Sequence, residues 1–282
     1  MKRRKSFDNS SPLLYLVATP IGNLNEMSKR ALDVLNDMDV IAAEDTRNTS
    51  LLLSHFGIKK ELFSLREHNE LEASNHLINL LKQGKKVAYV SDAGYPGISD
   101  PGYLLVKTAK ENDIAVSTVC GSCAFINALV ASGLPTDHFY FYGFLSKKGN
   151  EAKTALEEMK DREETLIFYE SPHHIEETVQ LLNKVLGDRY AVIGRELTKI
   201  NEEYISGALN ELCSLDFKTL KGEMVIIVSG NQTEKIKNSD EAIIQKLKFY
   251  LSLGVTKKVA VEIAVEELKE PKNRVYKLAQ NI

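Results

Sequence analysis

Residues 90–102 read VSDAGYPGISDPG and hold three glycines, two prolines, two aspartates and two serines between an apolar run and a helix-like one. Connections between elements usually take about two to six residues, and longer ordered ones tend to carry function. Glycine lets backbone approach a ligand closely at positive φ, and proline holds a loop rigid, lowering the cost of ordering it on binding. Spare backbone N–H groups can then bond a carboxylate or a base edge. Asp92 and Asp100 are candidates for ribose hydroxyls or a cationic group, with Gly94 where backbone approaches the ligand. The chain contains neither GxxxxGK[ST] nor GxGxxG. A nucleotide-like ligand without a pyrophosphate therefore fits better than a nucleoside triphosphate or NAD.

Five other stretches of this character follow predicted strands: Thr19-Pro20-Ile21-Gly22-Asn23, Glu44-Asp45-Thr46-Arg47, Cys120-Gly121-Ser122-Cys123, Glu170-Ser171-Pro172 and Arg195-Glu196-Leu197-Thr198-Lys199. Any one of them could be capping chemistry, because Ser, Asp, Asn and Pro routinely start helices. Together with the first loop they point to one ligand site, since open α/β sheets bind ligands beyond the carboxyl ends of their strands. Cys120 and Cys123 carry a rival reading. Redox thiols are placed between a strand and a helix, whose N-terminus lowers a thiol pKa, so a thiol oxidoreductase is an alternative. Cys213 is the one other cysteine and no paired His spacing occurs, so no metal site is expected. His173 and His174, adjacent in a first helical turn, read as capping or packing residues.

The elements that must position these clusters alternate. Strands are predicted at 14–19, 40–45, 61–65, 85–90 and 114–119, and helices at 28–38, 49–57, 72–84, 103–113 and 124–133. This pattern indicates a parallel, helix-covered sheet. A further strand at 138–145 closes a first α/β domain, 13–146, with the boundary in the polar SKKGNEAK. A second α/β domain, 147–234, has strands at 165–170, 190–197, 202–207 and 223–230 among its helices. Residues 230–240 read as a polar linker. The stretch 238–282 reads as short helices of helix-turn-helix type, with Thr256 as an N-cap. Residues 1–12 are expected to form a disordered tail.

Hydrophobic residues make up 43% of the chain and charged ones 27%, the balance of a globular protein and not of a disordered or fibrous one. No apolar run reaches the roughly 18–20 residues needed to span a bilayer. The basic MKRRKSFDNSSP precedes an apolar stretch too short for a secretory signal, so a cytoplasmic protein without a membrane contact is expected. The net charge of −3 hides an asymmetry, because residues 235–282 carry ten Lys/Arg against six Asp/Glu. A basic tail on an acidic body suggests a polyanionic partner.

LVATPIGNL, IAAEDTR, VSDAGYPGISDPG, TLIFYESPH, RELTK and KGEMVIIV, in this order over about residues 13–230, resemble the rRNA small-subunit methyltransferase I family. These are ribose-2′-O cytidine methyltransferases of the tetrapyrrole-methylase fold. The resemblance implies two α/β domains with a cleft between them and a small C-terminal helical extension. It implies S-adenosylmethionine in that cleft, a homodimer, and as substrate a decoding-site cytidine of small-subunit (16S) rRNA in the assembled small ribosomal subunit. Carried over by motif, it sets Pro20, Tyr95, Ile98, Ser99, Asp100, Ser122, Cys123, Ala124 and Tyr169 against the cofactor. The family usually shows Pro-Gly-Pro where this chain has Cys120-Gly121-Ser122.

Methyl transfer from a sulfonium is an in-line displacement, so orientation supplies most of the catalysis and no metal is required. A ribose hydroxyl is a poor nucleophile that a nearby base or cation helps. The expected groups are a carboxylate of Glu44 or Asp45, or Lys199, near the 2′-hydroxyl. Arg47 and Arg195 would hold phosphate or the carboxylates, with Glu196 beside the substrate. Lys257, Lys258, Lys272, Arg274 and Lys277 are expected to meet RNA phosphates. A small-molecule methylase acting on corrin or tetrapyrrole precursors shares the fold and is the alternative, but it would need neither the basic tail nor the EDTR cluster.

Overall fold

The structure, a computed structural model, describes residues 13–232, 238–268 and 270–282. The expected N-terminal tail, residues 233–237 of the linker, and Lys269 lie outside the described residues. The chain divides into two compact units, 1–231 and 232–282.

The larger unit begins with β1 (Leu13–Val17), α1 (Lys29–Asp37), β2 (Val40–Ala43), α2 (Thr46–His55), β3 (Glu61–Ser64), α3 (Glu70–Lys82), β4 (Val87–Val90), α4 (Tyr103–Glu111) and β5 (Ala115–Val119). The five strands form one sheet in the order β3-β2-β4-β1-β5, parallel throughout. Successive strand residues point to opposite faces, and both faces are covered. Leu14, Leu16, Val87 and Tyr89 pack with Leu77 and Leu81 of α3 and Leu105 of α4. The alternate residues Val17, Ile41, Ala88 and Val90 pack with Ala31 and Leu35 of α1 and Leu53 of α2. Ser28 and Asp45 start α1 and α2 by accepting from the backbone N–H of Ala31 and Arg47.

The unit continues with α5 (Ala124–Ala131), β6 (Phe139–Phe144), α6 (Gly149–Met159), β7 (Thr165–Glu170), α7 (Ile175–Leu186), β8 (Tyr190–Arg195), β9 (Glu203–Ala208), α8 (Leu209–Leu212) and β10 (Met224–Val228). Its second sheet, in the order β6-β7-β10-β8-β9, is mixed. β6 joins β7 in parallel, whereas β10 is antiparallel to β7 and β8, and β8 to β9. One face buries Phe168, Ile193 and Ile226 against Leu156, Leu182 and Leu209. The other buries Ile167, Val192, Val225 and Ile227 under Ala128 and Leu129 of α5.

A domain boundary at 146 therefore falls too late. β6 pairs with β7, Phe139 opposite Thr165, and α5 covers the same second sheet. SKKGNEAK is polar because it opens the crossover that two parallel neighbours require, not because it links domains.

The smaller unit holds α9 (Asp240–Ser252), α10 (Lys257–Leu268) and α11 (Lys272–Gln280) around Ile243, Leu247, Val261, Ala264 and Val275. Helix α10 starts directly after Thr256, and Ser239 caps α9 through the N–H of Ala242. Among the described residues no helix is long and apolar enough to cross a membrane.

Candidate functional site

Parallel strands present their carboxyl ends on one edge, and in both sheets that edge lines the same cavity, of about 350 Å³. The first sheet contributes Ile21 after β1, Glu44 after β2, residues 92–95 and 98–100 after β4, and Cys123 and Ala124 at the start of α5. The second contributes Phe144 of β6, Tyr169 and Glu170 of β7, and Glu196, Leu197 and Lys199 after β8. Glu223, Met224 and Val225 also line it, and a rule about carboxyl ends misses them. β10 runs against its neighbours, so its amino end lies there, with Met224 opposite both Glu170 and Arg195. The charged KGE before an apolar run was the available sign, but strand direction is not written in it.

The loop after β4 is built by left-handed residues, with φ of +72° at Gly94, +83° at Gly97, +61° at Ser99 and +138° at Gly102. Gly94 exchanges both backbone hydrogen bonds with Thr19, at 2.9 and 3.1 Å, which fixes the loop to the end of β1. Its far end is held by the buried Tyr89, whose hydroxyl donates to the Pro101 carbonyl at 2.9 Å. Glu70 Oε1 accepts from the N–H groups of Gly102 and Leu104, at 2.8 and 2.9 Å, and so caps α4 from a distant element. The turn at 120–123 is tied down without prolines. Gly121 N–H donates to the Tyr95 hydroxyl at 3.2 Å, the Ser122 hydroxyl donates to Glu26 at 2.6 Å, and a side chain at Gly121 would collide with Ala18.

Nine of the residues expected against a cofactor line the cavity: Asp92, Gly94, Tyr95, Ile98, Ser99, Asp100, Cys123, Ala124 and Tyr169. Pro20 lies in a smaller neighbouring hollow with Gly22 and Asn48, and Ser122 turns to Glu26. Of the groups expected to act on a substrate, Glu44, Glu196 and Lys199 line the cavity. Asp45, Arg47 and Arg195 do not. Asp45 caps α2 and pairs with Arg47 at 2.5 Å, a contact that holds its carboxyl well below the usual carboxylate range. Arg195 pairs with Glu203 at 2.5 Å and donates to the Lys221 carbonyl. In the small unit Arg274 is bonded to Asp240, Glu270 and the Asn238 carbonyl, so it closes α11 onto α9.

Six acids, Glu44, Asp92, Asp100, Glu170, Glu196 and Glu223, line the cavity against one cation, Lys199. Glu170 accepts from Ser171 and Thr178, and Asp92 accepts from Asp45 N–H and Asn48, so these two also fix local structure. The balance favours a cationic ligand and opposes a polyphosphate. Burial, then repulsion from Glu44, pushes the Asp100 carboxyl up to about 7, and burial also raises Glu44. Because Asp100 lies above its unfolded range, its contribution to stability is present below that range and is lost as pH rises through about 7. The Cys123 thiol is pushed up by burial, which suppresses the thiolate that redox chemistry at this turn would need.

Lys199 sits on a hairpin with two left-handed non-glycine residues, Glu196 at φ +51° and the β-branched Thr198 at +67°. Such strain persists where surroundings over-determine it and clusters at functional sites. Thr198 N–H donates to Glu202 at 2.6 Å, its hydroxyl accepts from Asn23 N–H at 3.1 Å, and Glu196 N–H donates to the Glu223 carbonyl at 3.0 Å. The ammonium of Lys199 lies 2.9 Å from Glu196 and 3.9 Å from Glu223. Its stem passes over Gly22, where an added Cβ would come within 2.5 Å of Cγ. The hairpin of one sheet is thus locked to the first loop of the other.

The chain matches the family model of tetrapyrrole (corrin/porphyrin) methylases over residues 13–213. It is 42% identical over 285 residues to the ribosomal RNA small subunit methyltransferase I of Halalkalibacterium halodurans, covering 99% of each chain. To the protein of that name from Escherichia coli O157:H7 it is 43% identical over 283 residues, covering 99% of this chain and 98% of the other. Among solved structures the methyltransferase CobJ superposes with a TM-score of 0.60 at 16% identity, over 78% of this chain and 95% of that one. The uroporphyrin-III-C-methyltransferase from Thermus thermophilus gives 0.56 at 19%, over 77% and 94%. These two likenesses concern the fold.

Proposed function

The chain belongs to the ribosomal RNA small subunit methyltransferase I family of the tetrapyrrole methylases, and from that premise we propose that it methylates the ribose 2′-hydroxyl of a decoding-site cytidine in small-subunit rRNA. It is a methyltransferase with S-adenosylmethionine as donor. The observation that carries the substrate reading is coverage: the relative of that name from H. halodurans aligns over 99% of this chain, basic tail included. The corrin-precursor alternative leaves that tail without a role.

The cavity suits the donor: its acidic lining would hold the cationic sulfonium and ammonium, and Ile21, Ile98, Leu197 and Val225 would offer apolar surface to the adenine. When bound, the donor supplies an electrophilic methyl group that leaves its bonding pair on sulfur. Glu44, made more basic by burial, takes the hydroxyl proton. Lys199, an ammonium between two carboxylates, donates to the oxygen on which charge develops. Arg47, 83% exposed although paired, and Lys257, Lys258, Lys272 and Lys277 meet phosphates. The reading includes the assembled small subunit as substrate, a cytoplasmic location, and a homodimer that would cover the exposed Ile98 and Phe144 at the cavity rim. Incubation with labelled S-adenosylmethionine and undermodified small subunits, followed by mapping of the methyl group, tests it; label on no small-subunit ribose would end the reading.

A cation bound beside Asp100 lowers its carboxyl, so binding releases a proton wherever the free protein holds one. Affinity for S-adenosylmethionine is expected to fall as pH drops below about 7, approaching tenfold per unit, with the Asp100→Asn profile flat. Calorimetric titration across this window decides: a flat profile for the unaltered protein would remove Asp100 from the cofactor site.

A further inference from the structure

We propose that the outward face of α11 is an RNA-binding surface on which Tyr276 stacks an unpaired base while Lys272 and Lys277 hold flanking phosphates. The proposal rests on small-subunit rRNA being the substrate. On α11 the exposed residues are Lys272, Asn273, Tyr276, Lys277 and Gln280. Arg274 and Leu278 are half-buried, and Val275 and Ala279 buried. Offsets of one, four, five and eight residues place the exposed five on one side of a helix.

No acid lies on that side, whereas the exposed residues of α9 and α10 include Glu241, Glu262, Glu266 and Glu267. Helices α9 and α10 also expose Lys248, Lys257 and Lys258, but mixed with these acids, whereas the exposed side of α11 carries lysines and no acid. Arg274 fixes which way the face points. Its guanidinium bonds Asp240, Glu270 and the Asn238 carbonyl while Val275 and Ala279 enter the core, so the remaining side must face outward.

Charge alone would suit any polyanion, and Tyr276 narrows the choice. It is 54% exposed, a large amphipathic ring left in water between two lysines. A ring so placed accepts the π-face of any base, and only an unpaired base is free to lie on it. Asn273 and Gln280, one turn to either side, offer amides to base edges or 2′-hydroxyls. The occupant is single-stranded RNA, held by sequence-tolerant stacking and phosphate contacts.

The test uses the full chain with two substrates, undermodified small subunits and a single-stranded oligoribonucleotide carrying one 2-aminopurine. Tyr276→Ala is expected to raise KM for small subunits, and Kd for the oligoribonucleotide, about tenfold. It should also abolish 2-aminopurine quenching, with kcat and the Kd for S-adenosylmethionine unchanged. Tyr276→Phe should stay within about twofold of the unaltered protein. Lys272→Gln combined with Lys277→Gln should reduce the slope of log Kd against log salt by about 1.4. Unchanged oligoribonucleotide binding and quenching in Tyr276→Ala would overturn the proposal. So would a KM defect on small subunits that is absent on naked RNA, which would mark a ribosomal-protein contact. If the unaltered protein methylated no small-subunit RNA, the substrate reading would fail separately, and the oligoribonucleotide data would still decide the surface.

Discussion

Lys199→Met is expected to lower turnover on small subunits about a hundredfold while S-adenosylmethionine binds as well as before or more tightly. Methionine keeps most of the stem that packs over Gly22 and removes only the ammonium beside Glu196 and Glu223. Loss of one donor aimed at developing negative charge typically costs about 10²–10³ in rate. Cofactor affinity moves the other way, because the cavity loses its one cation and becomes more attractive to a cationic donor. The split is informative. A lysine that served only to hold the hairpin would, on replacement, weaken donor binding and turnover together. Single-turnover rates and donor titrations on the same preparation distinguish the two, and parallel losses would reduce Lys199 to a structural ion pair.

Gly94→Val should weaken S-adenosylmethionine binding about ten- to a hundredfold, with the fold retained. Space is not the obstacle, since the nearest atoms to an added Cβ are Ile21 Cγ2 at 3.5 Å and the Ser122 carbonyl at 3.6 Å. Conformation is. Gly94 lies at φ +72°, where a β-branched residue costs roughly 1–3 kcal/mol, and leaving that region breaks the paired bonds to Thr19 that set the loop against the cavity. Cys120→Ser with Cys123→Ser provides the contrast. Serine preserves the turn and the methylation rate if the thiols are bystanders, whereas loss of activity in a folded double variant would restore the thiol reading. Thermal scans with and without donor report binding in each variant: the donor-induced rise should shrink for Gly94→Val and persist in full for the serines.

Most strands and helices were legible because period-two and helical runs are local properties of the chain. Strand β7 falls on the predicted 165–170, and α3 ends beside its predicted glycine stop. The strand-end clusters were equally local, and the cavity gathers residues from all six. Their chemistry followed from residue type: a glycine- and proline-bearing loop with no phosphate signature pointed to a ligand without pyrophosphate, and the CxxC left a rival that burial of Cys123 and the family match both weaken.

What the sequence could not decide was partnership across distance. Whether 138–145 joins the strands before it or after it is a hydrogen-bonding choice between sheets, and the strand is apolar enough for either. The direction of β10, which brings Glu223 to the cavity, depends on pairing with β7 and β8 and leaves no mark in the string MVIIV. Glu44 and Asp45 are neighbours in sequence, yet one lines the cavity and the other caps α2, because the helix begins directly after Asp45 and turns that side chain to Arg47. Arg274 looked like any basic surface residue until α9 placed Asp240 within reach. Charge type and local period are written residue by residue, while burial, ion pairing and strand direction depend on which distant segments the folded chain brings into contact.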